Sequence, residues 1–240
     1  MKKMKNITWN SLLTLIGILL AASSSCKSED DLQYDLKPGT LTDINGNTYH
    51  TVIIGTNEWM AENLKATSYN DGRPIENPGN NNVAWENNSQ GSYSWYNNDE
   101  AGHKEKYGAL YNWHAVKTGK LCPAGWRVPS DEEWTNVNKY LLSNTGSSLN
   151  DNTESPTTPE NTVKSGFNPV LGGARFAGLP GGAHKSGNGY FYYLEKSARW
   201  WTSTEHSDAN AVYRSLYSES TNIYRGQNSK ETGFAVRCYR

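Results

Sequence analysis

The chain has 240 residues, a length that suits one domain or two small ones. Its 23 Lys and Arg are balanced by 24 Asp and Glu, so it lacks the positive footprint of a nucleic-acid binder. Only 35 % of residues are hydrophobic but 12 % are aromatic, with 9 Trp and 15 Tyr against 4 Phe, a profile that argues against both a disordered chain and a large aliphatic core. Uncharged polar residues, chiefly Asn, Ser, Thr and Gly, set the mean hydropathy at −0.78. Such a composition predicts an irregular, loop-rich fold pinned by aromatic side chains.

Lys2, Lys3 and Lys5 precede an apolar run over 12–22, then Ser23, Ser24, Ser25 and Cys26. A basic start, a short apolar stretch and small residues make a secretory signal, and the run is too short to span a bilayer. Cys26 after small residues resembles a bacterial lipobox, although Ser23 stands where a Leu is usual. The resemblance implies cleavage before Cys26 and lipidation of its thiol and new amino group; the alternative is an ordinary signal with an incidental Cys. The expected organisation is a signal over 1–25, a lipidated Cys and linker over 26–40, and one domain over 41–240. Loss of three Lys moves the formal charge from −1 to −4. The stretch Lys27-Ser28-Glu29-Asp30-Asp31 resembles the surface-export signal of Bacteroidetes-type lipoproteins, or is a solvated linker. The expected location is the cell envelope: an outer-membrane lipoprotein, facing the periplasm or displayed on the cell surface, that touches the membrane through its lipid alone.

In the domain, Asn45-Gly46 supplies the positive φ of a tight hairpin turn between Thr42-Asp43-Ile44 and a half-buried strand over 48–54. A second turn, Gly55-Thr56-Asn57, leads into a short strand at Glu58-Trp59-Met60. Residues 66–106 read as loop, punctuated by Trp85, Tyr93, Trp95 and Tyr96; a loop of that length either works or is pinned by its own side chains. Residues 109–116 predict a helix closed by Gly119. Residues 131–142 predict the clearest helix, with Ser130 as N-cap, Glu133 completing a capping box, and Trp134, Val137 and Leu141 on one face. A Ser/Thr/Asn/Pro-rich insertion spans 144–165, and Gly172-Gly173 and Gly181-Gly182 break the next stretch. Strands are expected at 198–204, 211–217, 221–225 and 233–240. In the last, Phe234, Val236 and Cys238 share one face while Ala235, Arg237 and Tyr239 share the other. Two helices early and strands late predict an α+β domain.

Cys122 and Cys238 remain after the anchor. In an exported protein a disulfide is the default reading; the rival, reactive thiols or a metal site, lacks a His at ligand spacing.

Four groups of segments then carry a resemblance. They are Thr42 to Asn47 with Trp59-Met60-Ala61-Glu62-Asn63-Leu64; Tyr107-Gly108-Ala109-Leu110-Tyr111-Asn112-Trp113; Cys122-Pro123-Ala124-Gly125-Trp126-Arg127-Val128-Pro129 running into Ser130-Asp131-Glu132-Glu133-Trp134; and Trp200-Trp201-Thr202-Ser203-Thr204-Glu205 with Gly233-Phe234-Ala235-Val236-Arg237-Cys238. In this order they closely resemble the Fibrobacter succinogenes major paralogous domain, a family of exported, often lipidated bacterial proteins, over about residues 41–240. The family looks related to the C-type-lectin-like fold, which includes the formylglycine-generating enzymes. The resemblance implies a C-type-lectin-like α+β domain with two short helices, short antiparallel strands and long loops. It also implies that the terminal strands lie close and that a disulfide joins the second-helix region to the last strand. It implies no activity.

The site chemistry of the relatives is not matched. Formylglycine-generating enzymes use a close Cys pair as a metal and redox site, whereas Cys122 and Cys238 fall where the fold expects a structural bridge. No Gly-x-Ser-x-Gly elbow surrounds a Ser, and His50, His103, His114 and His184 stand alone. His206 beside Glu205 and Asp208 is a weak metal candidate, since sequence neighbours seldom point at one centre. Calcium-dependent lectins of this fold present Glu-Pro-Asn or Gln-Pro-Asp and a late Trp-Asn-Asp; Asn77-Pro78 and Asn168-Pro169 are wrongly flanked, and Trp95-Tyr96-Asn97-Asn98-Asp99 lies too early. No metal and no cofactor is expected. Metal-free recognition is open, because Trp and Tyr faces stack on sugar CH groups while amides bond hydroxyls. The candidate ligand residues are Trp85, Tyr93, Trp95, Tyr96, Tyr190, Tyr192 and Tyr193, with core packing as the alternative for each. Trp113, Trp126, Trp134, Trp200 and Trp201 are expected in the core. Arg127, Arg199, Arg214 and Arg225 either pair with Asp131, Glu132 or Glu205 or capture an anion. The expected function is a non-catalytic binding module for a glycan or a surface protein. A structural component of the envelope is the alternative, and an enzyme the third.

Overall fold

The computed structural model describes residues 38–144, 167–177, 190–220 and 222–240, with side chains in the first stretch described as far as Tyr140. Every described residue belongs to one compact unit, Asp35–Arg240. The export signal, Cys26, the linker before Pro38, the 144–165 insertion beyond Asn144, Gly181-Gly182 and the Leu141 side chain lie outside the described residues.

Strands β1 (Thr40–Thr42), β2 (Thr48–Ile54) and β3 (Asn57–Met60) form an antiparallel sheet in that order. The first hairpin turns on Gly46 at φ +82°, as its Asn-Gly predicts. Buried Asp43 holds the turn: its carboxylate accepts from the Asn45 and Asn47 amides, both at 2.9 Å, and from the Tyr49 hydroxyl at 2.6 Å. The second hairpin closes on Gly55-Thr56, with Ile54 opposite Asn57.

The 66–106 stretch is more regular than its sequence predicts. It contains α1 (Asn82–Glu86), β4 (Tyr93–Ser94), a 3₁₀ turn at Tyr96–Asn98 and α2 (Glu100–Tyr107). Helix α2 buries only Tyr107, so it has no apolar stripe to read. Its ends hold it instead. The Asp99 side chain accepts from the Gly102 amide at 3.0 Å, Glu100 lies in the first turn, and Lys104 and Lys106 lie in the last, each complementing the helix dipole.

The helix expected over 109–116 begins late. Leu110–Tyr111 forms β5, paired with β4, and only Trp113–Lys117 is helical (α3). Asn112 causes the break. Its Oδ1 accepts from the Ala115 amide at 3.1 Å and from the Ser92 amide at 2.9 Å, so one buried side chain both caps α3 and ties it to the residue ahead of β4. Helix α4 (Asp131–Asn144) follows its prediction. The Glu133 amide donates to Ser130 Oγ at 3.2 Å, the Ser130 amide donates to Glu133 Oε2 at 2.7 Å, and Trp134 and Val137 are buried. The described residues thus hold four α-helices where two were expected.

Strands β6 (Gly172–Phe176) and β7 (Tyr190–Leu194) make a hairpin, while β8 (Ser197–Glu205), β9 (Asn210–Tyr217) and β10 (Tyr224–Ser229) make an antiparallel sheet in the order β10-β9-β8. The strand expected at 221–225 therefore starts later and runs further. Mixed helices and antiparallel sheets make this an α+β fold.

The terminal segment 233–240 is not a strand of any sheet, because it changes partner every residue or two. Gly233 exchanges hydrogen bonds with Arg175 on β6, Phe234 with Tyr111 on β5, and Ala235 bridges Arg199 and Trp201 on β8. Val236 and Cys238 accept from Leu64 and Met60, Tyr239 pairs with Arg127, and Arg240 pairs with Glu58 on β3. The predicted alternation holds with both faces buried. Phe234, Val236 and Cys238 enter one core with Trp113, Trp201 and Tyr111, while Ala235 and Tyr239 enter a second with Trp59, Trp134 and Trp200. In the second core Trp134 stacks on Trp200 at 5.3 Å and meets Trp59 and Phe167 edge-on at 5.2 and 5.8 Å. Such pairs add about 0.5–1.5 kcal/mol each beyond burial. Cys238 is joined to Cys122 by a disulfide, with Cα atoms 5.8 Å apart, which bears out the expected pairing.

Candidate functional site

The loop aromatics do not offer faces to a ligand. Trp85, Trp95 and Tyr96 are 1 %, 2 % and 8 % exposed, which corrects their reading as binding residues. The reason is a core short of aliphatic side chains that takes these rings inward. The Arg175 guanidinium lies over the Trp85 ring at 4.2 Å, Tyr93 meets Trp95 edge-on at 5.4 Å, and Tyr96 packs against Phe191 at 5.3 Å. Tyr93 and Tyr190 are half-buried.

Tyr192 is half-buried too, and of the predicted candidates Tyr193 alone is exposed. In a regular strand Tyr193 would share the face of Phe191. Its φ is +67°, opposite Gly173 at +66° in a gap of the β6–β7 register, and this turns its ring to the side of Tyr192. Both rings then lie 6.1 Å from Phe176 and 6.2 Å from each other. A left-handed aromatic residue is strained, and such residues concentrate at working sites.

The Tyr193 ring covers Arg199, whose guanidinium carbon lies 4.5 Å from the ring centre. Arg199 projects from β8 on the face shared by Trp201, in a rung with Ser215 of β9 and Tyr224 of β10. The next rung inward is Trp201, Tyr213 and Gly226, and the next outward pairs Ser197 with Tyr217. Period-2 alternation therefore places Tyr213, Ser215 and Tyr217 on the Arg199 face. Ser215 is small enough to leave room for the guanidinium. Gly226 leaves room for the Tyr213 ring, since a Cβ there would stand 2.6 Å from Tyr213 Cζ. Five rings surround the cation: Tyr193, then Phe176, Tyr213, Phe234 and Tyr217 at 5.7 to 6.0 Å. Burial pushes the Tyr213 phenol up, against the pull of Arg199. At the surface Tyr193, Tyr217 and Tyr224 are 45 %, 38 % and 46 % exposed, and Tyr217 meets Tyr224 edge-on at 5.7 Å. The result is a tyrosine-lined surface with one cation at its floor.

Arg199 Nε donates to Ser197 Oγ at 3.2 Å, and no carboxylate of the described residues pairs with the guanidinium. The other arginines singled out in the sequence each meet a carboxylate. Arg214 and Arg225 share Asp131, at 2.5 and 2.6 Å, and Arg127 forks onto Glu133. Buried Lys230 pairs with Glu205, which also draws Lys117. His50, His103 and His114 face Glu62, Asp99 and Glu231. No metal-binding cluster forms among the described residues.

Two arginines that sequence reasoning missed are fully buried. Arg175 donates to the Gly79 carbonyl at 3.0 Å and to Asn82 Oδ1 at 3.2 Å, fixing the loop ahead of α1. Arg237 lies over Phe167 at 4.3 Å and donates to Asn63 Oδ1 at 3.0 Å. Desolvation pushes them down to about 10 and about 9, and both stay charged at neutral pH. Apolar neighbours on both sides in the chain hid them.

An open cavity of about 410 Å³ lies beside Lys106, Tyr107, Asn168, Leu171 and Glu195. Glu195 is already bonded to Lys106 Nζ at 3.1 Å and to the Tyr107 hydroxyl at 2.9 Å, and these hold its carboxyl below the usual range. A general acid needs the opposite shift.

An α+β domain with an exposed aromatic surface and a cystine-fastened C-terminus is the class these features define. Residues 52–240 match the model of the Fibrobacter succinogenes major domain, Fib_succ_major, and the chain belongs to that family, a bacterial surface-associated domain. The match begins within β2, so the Asp43 turn lies ahead of it. No curated protein and no solved structure matches the chain.

Proposed function

We propose that this protein is a non-catalytic binding module of the bacterial cell envelope that takes a glycan on the tyrosine-lined face of β8, β9 and β10. The observation that carries the reading is the set of exposed Tyr193, Tyr217 and Tyr224 gathered on one sheet face around the buried Arg199, in a fold that turns most of its described aromatic rings inward. Tyrosine faces stack on sugar CH groups at low entropy cost, because only two side-chain torsions need fixing. The wider likeness to C-type-lectin-like domains is supported by the meeting of β3 with Arg240 and by the cystine from the approach to α4 to the last segment. Lipidation at Cys26 would hold the module at the outer membrane. No helix among the described residues is long and apolar enough to cross a membrane.

The test is a glycan array probed with the full chain in mild detergent. Retention on one glycan class, lost in a Tyr217→Ser/Tyr224→Ser variant that keeps the wild-type melting temperature, is the expected result. Silence across the array would favour a structural component of the envelope. Fatty-acid labelling that disappears in Cys26→Ser is expected for the anchor; an unlabelled wild type with Cys26 intact would refute it.

A further inference from the structure

Among the described residues Arg199, ringed by aromatic side chains like Arg175 and Arg237, differs from the other buried or half-buried cations near the sheet in that its guanidinium meets no carboxylate, carbonyl or amide oxygen. Arg214, Arg225 and Lys230 each meet an acid on an adjacent element. Arg175 and Arg237 meet carbonyl and amide oxygens. With Nε committed to Ser197, the two Nη groups have no acceptor, and neither is among the buried polar atoms left without a partner. They therefore keep an opening toward solvent while the rings exclude water from the sides. A guanidinium presents its Nη pair as a planar fork that fits one carboxylate through two parallel hydrogen bonds. A low-dielectric wall strengthens that pairing. The exposed phenol rings of Tyr193 and Tyr217, one on each side, are suited to stack against a sugar ring that carries the carboxylate.

Resting on the glycan reading above, we propose that the ligand is an acidic sugar, a uronate whose carboxylate is taken end-on by Arg199 while its ring stacks between Tyr193 and Tyr217. One guanidinium fork ringed by aromatic side chains suits one monoanionic group. A phosphate, which is largely dianionic at neutral pH, is better held by several cations or a set of backbone amides than by one guanidinium set among aromatic rings. A sulfate ester offers the same fork two oxygens, and the titration below separates it from a carboxylate.

The experiment is calorimetric titration of the full chain with oligomers of galacturonate, glucuronate and mannuronate, each beside its methyl ester. The ester keeps the ring and its stacking but removes the charge. At least one acid should bind tenfold or more tightly than its ester, the gap should shrink with added salt, and it should vanish in Arg199→Gln. Equal affinity of every acid and its ester would overturn the carboxylate assignment and leave glycan binding standing. Tighter binding of a sulfated oligosaccharide than of every uronate would also overturn it. No binding of any of these oligosaccharides beside a hit on the glycan array would overturn the uronate assignment alone, and silence in both would remove both readings. The acid–ester comparison is made on the wild-type chain, so it stands even if Arg199→Gln fails to fold; Tyr217→Ser, at the rim, should then weaken acid and ester alike.

Discussion

A tyrosine held at φ +67° is less stable there than a glycine would be, by about 1 kcal/mol or more. Tyr193 keeps this conformation while its ring packs on Phe176 and Arg199, so the strain serves a contact rather than a turn. Two substitutions separate the effects. Tyr193→Ala loses the ring and keeps the strain; Tyr193→Gly loses both. Urea unfolding should find the Gly variant more stable than the Ala variant by about 1 kcal/mol, and an Ala variant as stable as the Gly variant would contradict the strain. Sequence reading reached Tyr192, Tyr193 and Arg199 because a tyrosine run beside strand signals invites suspicion. It could not separate them from Trp85, Trp95 and Tyr96, since composition does not reveal which way a loop ring points. Tyr217 and Tyr224 were missed although the period-2 pattern of β9 places Tyr217 on the Arg199 face.

At the scale of elements, legibility follows what holds each element. Helix α4 was plain because Ser130, Glu133 and the Trp134 and Val137 face all agree. Ser130→Ala should cost about 1 kcal/mol in thermal or urea unfolding, and an unchanged stability would show that the Arg127–Glu133 fork suffices. Helices α1 and α2 and the late start of α3 were illegible because side-chain caps from Asn81, Asp99 and Asn112 define them, with little apolar periodicity. The terminal segment reads as a strand in the sequence because its alternation is real. The structure shows that the two faces serve two cores.

At the scale of the molecule, the terminal segment and its cystine join elements that are far apart in sequence. The Cys122–Cys238 bond closes a loop with a separation of 116 residues. On the chain-entropy model its removal destabilises the fold by about 5 kcal/mol. Unfolding of a Cys122→Ala/Cys238→Ala variant should show a loss of that order, and a loss under about 1 kcal/mol would contradict a constrained unfolded state. Alkaline pH tests the aromatic core. Burial raises the Tyr49, Tyr69, Tyr96, Tyr111 and Tyr213 phenols, so above about pH 10 the unfolded chain releases protons that the folded chain retains. Stability then falls as pH rises. Arg175 and Arg237, shifted down, act in the opposite sense, but two guanidiniums stand against five phenols. A urea midpoint that drops between pH 9.5 and 11 is expected, and a flat or rising midpoint would contradict five protected phenols.

The site itself is tested most directly by tyrosine-ring NMR of the full chain during titration with uronate oligomers. Shifts confined to Tyr193, Tyr217, Tyr224 and their ring neighbours Tyr192 and Tyr213, with Tyr96 and Tyr69 unmoved, are the expected result. Shifts centred on Tyr69, Tyr93 and Tyr96 would contradict a binding surface on β8, β9 and β10, and no shift at any tyrosine would contradict uronate binding there.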